Sequence, residues 1–239
     1  MKLDILAIGV HPDDVELSCS GTILKHVALG KKVGILDLTR GELGTRGNAE
    51  LRTIEATDAA KILGVSVRKQ LNLADGFFEN NEASLREIIK VIREFQPEIV
   101  LCNAISDRHP DHGRSAKLES DACFYSGLAK IETTGENGEK QAAWRPKAVY
   151  HYIQDNFLKP DFVIDITPFM DKKMESIMAY SSQFFDPNSK EPETPISSKN
   201  FIDYVKAKSQ IFARSINCQY AEGFTTNRYL GVENLFDLK

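Results

Sequence analysis

Short apolar runs alternate with amphipathic segments through the first hundred residues of the chain. Four runs have the length of buried strands: residues 5–10, 33–38, 69–73 and 99–102. Three segments between them carry apolar residues at helical spacing: 15–29, 49–63 and 83–95. Residues that commonly end a helix stand at or just beyond the end of each segment: Gly30, Gly64 and Pro97.

This alternation predicts a fold class. Strands that alternate with helices are typical of βαβ units, so we expect an α/β fold: a Rossmann-like, doubly wound, mostly parallel sheet with helices on both faces. In the common strand order 3-2-1-4-5, the first and fourth strands are neighbours, and ligands bind beyond their carboxyl ends. We therefore expect functional residues directly after 5–10 and 99–102.

The pattern is weaker after residue 113. Helices are predicted at 114–128, 170–180 and 201–216, and strands at 148–153 and 162–166. Residues 186–199 are rich in proline, serine and charge, which fits either a mobile lid or a surface excursion. Because no repeat or linker interrupts the pattern, we expect residues 1–239 to form one domain.

Composition excludes several classes of partner. A net charge of -4 and a pI near 5.8 argue against a nucleic-acid-binding protein. No run of about 20 apolar residues is present to span a membrane, and the N-terminus lacks the features of a signal peptide. The four cysteines have no CxxC spacing and fit reduced thiols, so we expect a cytoplasmic location.

Two clusters carry the candidate chemistry: HPDD at 11–14 and HPDH at 109–112, which together hold three of the five histidines. Each cluster follows one of the two strands expected to be neighbours, so their side chains can close around one metal ion. Imidazole with carboxylate suits zinc, and three protein ligands leave a position for water. The alternatives are that the first cluster only caps a helix and that the second is a solvated loop of mixed charge.

These clusters also carry a resemblance to a known family. The run HPDDVEL at 11–17 resembles the first motif of the PIG-L/LmbE-like zinc deacetylases of N-acetylglucosaminyl conjugates, and RHPDHG at 108–113 resembles the second. The runs at 38–47 and 220–224 are similar to the branch of that family that acts in bacillithiol biosynthesis. One departure is Cys19, which stands in a stretch that is glycine-rich in many members.

The resemblance implies a role for each residue of the clusters. It implies metal ligation by His11, Asp14 and His112, with Zn²⁺ as the ion and Fe²⁺ as an alternative in the cell. It also implies that Asp13 is the general base. His109 is then an acid or an oxyanion stabiliser.

Further residues are candidates for binding the substrate. The resemblance implies that Arg52 and Asp75 bind the sugar. Without the resemblance, Arg52 fits a solvated position on a helix and Asp75 fits a turn. Glu42 and Arg46 are candidates for the rim of the site. We expect Arg108 to bind an anionic group of the substrate, since a guanidinium grips a carboxylate with two hydrogen bonds; the alternative is a surface ion pair with a neighbouring aspartate.

The expected function is therefore the removal of acetate from a small amino-sugar conjugate, N-acetylglucosaminyl-malate above all, by a homo-oligomeric enzyme. The alternatives are a deacetylase of another N-acetyl sugar, such as a chitooligosaccharide or N-acetylglucosamine, a metal-dependent hydrolase of another bond, and a non-catalytic metal-binding module. A nucleotide-binding Rossmann module is disfavoured because the turn after the first strand lacks GxGxxG and its two acidic groups would repel a pyrophosphate.

Overall fold

The computed structural model describes residues 1–238, which form a seven-stranded sheet. Its strands are β1 (Ile5–Gly9), β2 (Val33–Asp37), β3 (Val67–Gln70), β4 (Ile99–Cys102), β5 (Ala148–Tyr152), β6 (Phe162–Asp165) and β7 (Ala221–Thr225). The order is β3-β2-β1-β4-β5-β7-β6, in which β1 to β5 run parallel and β7 runs antiparallel to both of its neighbours. The predicted α/β class and the adjacency of β1 and β4 are confirmed.

Helices cover both faces of this sheet, as predicted. They are α1 (Asp14–Ala28), α2 (Ala49–Leu63), α3 (Glu82–Phe95), α4 (Pro110–Tyr125), α5 (Met170–Met178) and α6 (Lys199–Ala213). Because side chains alternate along a strand, Leu6 and Ile8 of β1 pack towards α3 and α4, whereas Ile5 and Ala7 pack towards α1 and α2. Helix α5 lies on α1 and α2, and α6 packs on β7.

Three predicted elements differ from the structure by more than two residues at one end or both. β3 begins and ends earlier than 69–73, and α6 ends at Ala213, where a short 3₁₀ turn at Arg214–Ile216 follows. Helix α4 begins at Pro110 instead of at 114, because His109 caps it and proline suits a first helical position. The second histidine cluster is thus the first turn of a helix and not a loop.

Strand β7 was not predicted, because a glutamate and a glycine interrupt its apolar pattern. Glu222 is nevertheless buried, since its carboxylate accepts a hydrogen bond from the Lys173 ammonium at 2.7 Å. The four cysteines are free thiols. Among residues 1–238, no helix has the length and apolar character needed to cross a bilayer.

Candidate metal centre and active site

The carboxyl ends of β1 and β4 bring the three predicted metal ligands together. His112 Nε2 lies 3.1 Å from Asp14 Oδ1, and His11 Nδ1 lies 3.8 Å from Asp14 Oδ2. In a tetrahedral zinc site, bonds of about 2.1 Å place ligand atoms about 3.4 Å apart. The chemistry of these imidazole and carboxylate groups suits a divalent ion of the zinc type. By mutual distance alone, two overlapping groups could also hold an ion: the imidazoles of His11, His109 and His112, and His11 with Asp75 and Asp111.

The far nitrogen of each of these imidazoles faces carboxylates. His11 Nε2 lies 3.0 Å from Asp75 Oδ1 and 3.4 Å from Asp111 Oδ2, and His112 Nδ1 is hydrogen-bonded to Asp107. Burial alone would lower the pKa of both rings, but these carboxylates and Asp14 raise the pKa of His11 to about 10 and that of His112 to about 9. Carboxylates in this position commonly fix the tautomer and orientation of metal-binding histidines.

Asp14 is held by two amide side chains that the sequence analysis missed. Its Oδ1 accepts a hydrogen bond from Gln154 Nε2 at 2.9 Å, and its Oδ2 accepts one from Asn103 Nδ2 at 3.1 Å. Burial would raise the pKa of Asp14, but His112 and His11 outweigh burial and lower it. Asn103 directly follows β4, at a position that the strand-end rule covers, whereas Gln154 follows β5, to which the rule was not applied.

Asp13 faces a different partner from its neighbour Asp14. Its backbone has a φ of 116°, in the left-handed region that residues other than glycine seldom adopt. The carboxylate of Asp13 accepts a hydrogen bond from Arg52 Nη2 at 2.5 Å. Burial raises the pKa of Asp13 to about 6, against the opposing effect of the Arg52 guanidinium. The strained backbone thus turns two consecutive carboxylates towards two separate sets of partners.

His109 caps α4 and contributes a third imidazole. Its Nδ1 accepts a hydrogen bond from the backbone N–H of Asp111 at 3.3 Å, so the proton of the neutral ring lies on Nε2. Burial lowers its pKa, and the nearby rings of His11 and His112 act in the same direction. His109 is therefore a neutral N–H donor beside the candidate metal ligands, whose rings lie 4.8 Å and 5.1 Å from its own.

These groups open onto a cavity of about 310 Å³, within the usual range for small-molecule sites. Its walls include Thr194, Pro195 and Ile196, so the segment at 186–199 contributes directly to the site. That segment is fastened by Arg46, whose Nε lies 3.4 Å from Glu191 Oε2. Arg46 therefore anchors the segment, with 4% of its surface exposed, and is not among the residues that line the cavity.

The other candidate binding residues also have partners within the protein. Arg52, Asp75 and Arg108 all line the cavity. Arg52 contacts Asp13, and Asp75 contacts His11. Arg108 is half-exposed and pairs with Asp155, which is not one of its sequence neighbours. Glu42 accepts a hydrogen bond from the backbone N–H of Asp75 at 2.9 Å, so it braces the turn that carries Asp75.

Comparison with known proteins identifies the family. Residues 6–123, which include both histidine clusters, match the family model PIG-L, described as GlcNAc-PI de-N-acetylase. The crystal structure of the conserved protein TT1542 from Thermus thermophilus is 31% identical, covers 97% of this chain and 98% of its own, and superposes with a TM-score of 0.85. The chain belongs to the PIG-L family. The resemblance noted from the two motifs is thereby confirmed.

Relatives within the family carry several activities. Diacetylchitobiose deacetylase of Thermococcus kodakarensis is 29% identical over 194 residues, 75% of this chain and 70% of that protein. A probable N-acetyl-alpha-D-glucosaminyl L-malate deacetylase 2 of Bacillus anthracis is 26% identical over 196 residues, 75% of this chain and 81% of that protein. A 4-oxalmesaconate hydratase of Pseudomonas putida is 27% identical over 193 residues, 74% of this chain and 73% of that protein.

Proposed function

We propose that this protein is a metal-dependent N-deacetylase that hydrolyses the acetamide of an N-acetylglucosaminyl conjugate. The observation that carries the proposal is the group of His11, Asp14 and His112, with Asp13 and His109 beside it at the wall of one cavity. A structural zinc site usually closes with four protein ligands. Three ligands with an additional carboxylate, Asp13, and an additional N–H donor, His109, favour catalysis. The deacetylases among the relatives support the choice of an acetamide.

The proposed ligands are His11, Asp14 and His112, and the proposed ion is Zn²⁺, with Fe²⁺ as the alternative. Such an ion supplies polarisation of the amide carbonyl and a lower pKa for bound water. The chain itself keeps the ligands in place: Asn103 and Gln154 hold the carboxylate of Asp14, and aspartates hold the far nitrogens of both histidines.

Asp13 is the proposed general base. Its carboxylate accepts the proton of the attacking water while oxygen bonds to the acetyl carbon, and the same proton then passes to the sugar nitrogen as the C–N bond breaks. His109 donates its Nε2–H to the oxygen that gains negative charge, a contact commonly worth about 3 kcal/mol. The acetic acid formed passes its remaining proton to the amine or to water, so the products are acetate and the amino sugar, and Asp13 returns to its ionised form.

The proposed substrate is N-acetylglucosaminyl-malate, as used in bacillithiol biosynthesis, with a chitooligosaccharide or N-acetylglucosamine as the alternative. The similarity to the Bacillus anthracis protein supports the malate conjugate. The similarity to the Thermococcus kodakarensis protein supports the alternative. We also propose that Arg52 and Asp75 border the sugar as well as contacting Asp13 and His11. The homo-oligomer, the cytoplasmic location and the single domain over residues 1–239 stay predictions from the sequence.

The direct test is to incubate the zinc-loaded protein with N-acetylglucosaminyl-malate, diacetylchitobiose and N-acetylglucosamine, and to measure acetate and free amine together. We expect the two products in equal amounts and the highest kcat/KM on the malate conjugate. A higher kcat/KM on diacetylchitobiose would favour the alternative substrate. No acetate from any of the three would contradict the deacetylase proposal, and water addition without acetate would point to hydratase chemistry.

A further inference from the structure

Lys208 of α6 is a buried cation at the wall of the active-site cavity. It is 7% exposed and lines the cavity together with Tyr204 and Val205 of the same helix. Its Nζ donates a hydrogen bond to the backbone carbonyl of Gln154, the residue whose side-chain amide holds Asp14. The Lys208 ammonium therefore contacts the backbone of the residue whose side chain holds the proposed metal ligand Asp14.

Lys208 has no carboxylate as a direct ion-pair partner. An ammonium has three N–H donors, of which the carbonyl of Gln154 takes one. Among residues 1–238, no carboxylate oxygen comes within the 4.0 Å of its Nζ that defines an ion pair. Arg108 at the same end of the cavity differs, because its guanidinium is half exposed and already paired with Asp155.

Lys173 is the internal comparison, because it is an equally buried lysine of the same chain. Its Nζ has three acceptors: the Glu222 carboxylate at 2.7 Å, the carbonyl of Leu17 at 3.0 Å and the carbonyl of Glu16 at 3.1 Å. Each N–H of Lys173 thus has a partner within the protein, as a buried charge generally requires. Lys208 departs from that rule only where it borders the cavity.

A buried cation with no carboxylate within ion-pair distance and with N–H donors to spare, at the wall of a cavity, is suited to bind an anion. Burial lowers the pKa of Lys208 to about 8, and Lys173 acts in the same direction, against the opposing effect of the more distant Asp155, Asp107 and Glu222 carboxylates. The group still carries its charge at neutral pH. A carboxylate in the cavity would supply a direct ion-pair partner and accept hydrogen bonds from the spare N–H groups, and such charge-assisted hydrogen bonds are stronger than neutral ones.

We infer that Lys208 binds a carboxylate on the aglycone of the substrate, so that the enzyme selects N-acetylglucosaminides with an anionic aglycone. The inference rests on the proposed function, since it takes the acetamide to lie at the metal centre and the aglycone to extend towards α6. It moves the principal anion contact from Arg108, where the sequence placed it, to a residue of the second half of the chain. Lys208 is then a specificity-determining residue.

The test compares Lys208→Gln with the wild type on N-acetylglucosaminyl-malate and on the neutral methyl glycoside of N-acetylglucosamine. Glutamine removes the charge and keeps an N–H donor, on a side chain that is one atom shorter. We expect KM for the malate conjugate to rise roughly 10- to 100-fold, the scale of a lost hydrogen bond to a charged group. Turnover of the neutral glycoside should stay within about twofold, and Lys208→Arg should restore most of the preference.

Lys206→Gln is the matched control, because this lysine is on the same helix and exposed to solvent. Its KM on both substrates should equal that of the wild type. An equal increase in KM for both substrates in Lys208→Gln would overturn the inference. It would assign Lys208 to holding the backbone of Gln154. Unchanged KM values would overturn it as well.

A binding measurement separates this inference from the proposed function. Titration calorimetry of free malate onto the zinc-loaded protein requires no turnover and can be compared between wild type and Lys208→Gln. We expect malate to bind the variant at least about ten times more weakly. Equal affinity would overturn the Lys208 assignment, whereas a wild type that binds malate but releases no acetate would overturn only the deacetylase proposal.

Discussion

Arg52 Nη2 lies 2.5 Å from Asp13 Oδ2, and both side chains are buried. This contact joins the first turn of α2 to the residue that caps α1. Arg52 also donates a hydrogen bond to the backbone carbonyl of Pro12 at 2.8 Å, so it holds the strained turn as well as the carboxylate. The arginine therefore orients Asp13 away from Asp14 and favours its ionised form in a buried site.

If Asp13 is the base, Asp13→Asn should retain the metal and lose most activity. The amide keeps the size of the side chain and accepts no proton, so kcat should fall about 10²- to 10⁴-fold. Elemental analysis of the purified variant gives its zinc content beside the kinetic measurement. Full zinc occupancy with near-normal turnover would mean that another group takes the proton.

Arg52→Met should move the acid side of the pH profile. The guanidinium lowers the pKa of Asp13, so removing it raises that pKa. Because a base acts only when ionised, the acid limb of kcat should shift to higher pH, and Arg52→Lys should shift it less. An increase in KM with an unchanged pH profile would instead show that Arg52 serves only to grip the sugar.

Much of this site could be predicted because it depends on local rules. His11 and Asp14 follow β1, and His112 lies in the turn that begins α4, so the adjacency of two parallel strands suffices to bring them together. Asn103 follows β4 directly and obeys the same rule, but an isolated amide carries no signal of its own in the sequence.

Other contacts depend on how distant elements pack. Lys208 reaches the cavity only because α6 packs beside β7. Strand β7 was itself not predicted, because Glu222 interrupts its apolar pattern. That glutamate is polar in the sequence and buried in the fold, since Lys173 from α5 neutralises it. Arg108 was expected to bind a substrate anion, with an aspartate close in sequence as the alternative partner, whereas the structure pairs it with Asp155, shortly after β5.

Asp75 should act on the metal through His11. Its Oδ1 lies 3.0 Å from His11 Nε2, and its Oδ2 accepts a hydrogen bond from the backbone N–H of Leu43 at 2.9 Å. We expect Asp75→Asn to weaken zinc binding about 10- to 100-fold, as measured by competition with a chelator. Asp58→Asn is the control, because this exposed aspartate is paired only with Lys61 on the surface of α2. Unchanged zinc affinity with a raised KM would leave Asp75 as a sugar-binding residue alone.

The central claim is that one ion, held at the ends of β1 and β4, is required for deacetylation. The most direct measurement is a titration of the metal-free protein with Zn²⁺ while acetate release from N-acetylglucosaminyl-malate is followed. We expect no release without metal, and a linear rise that levels off at about one equivalent per chain, since the three ligands hold one ion. Acetate release by protein that contains no metal, or a rise that continues to two equivalents, would contradict it.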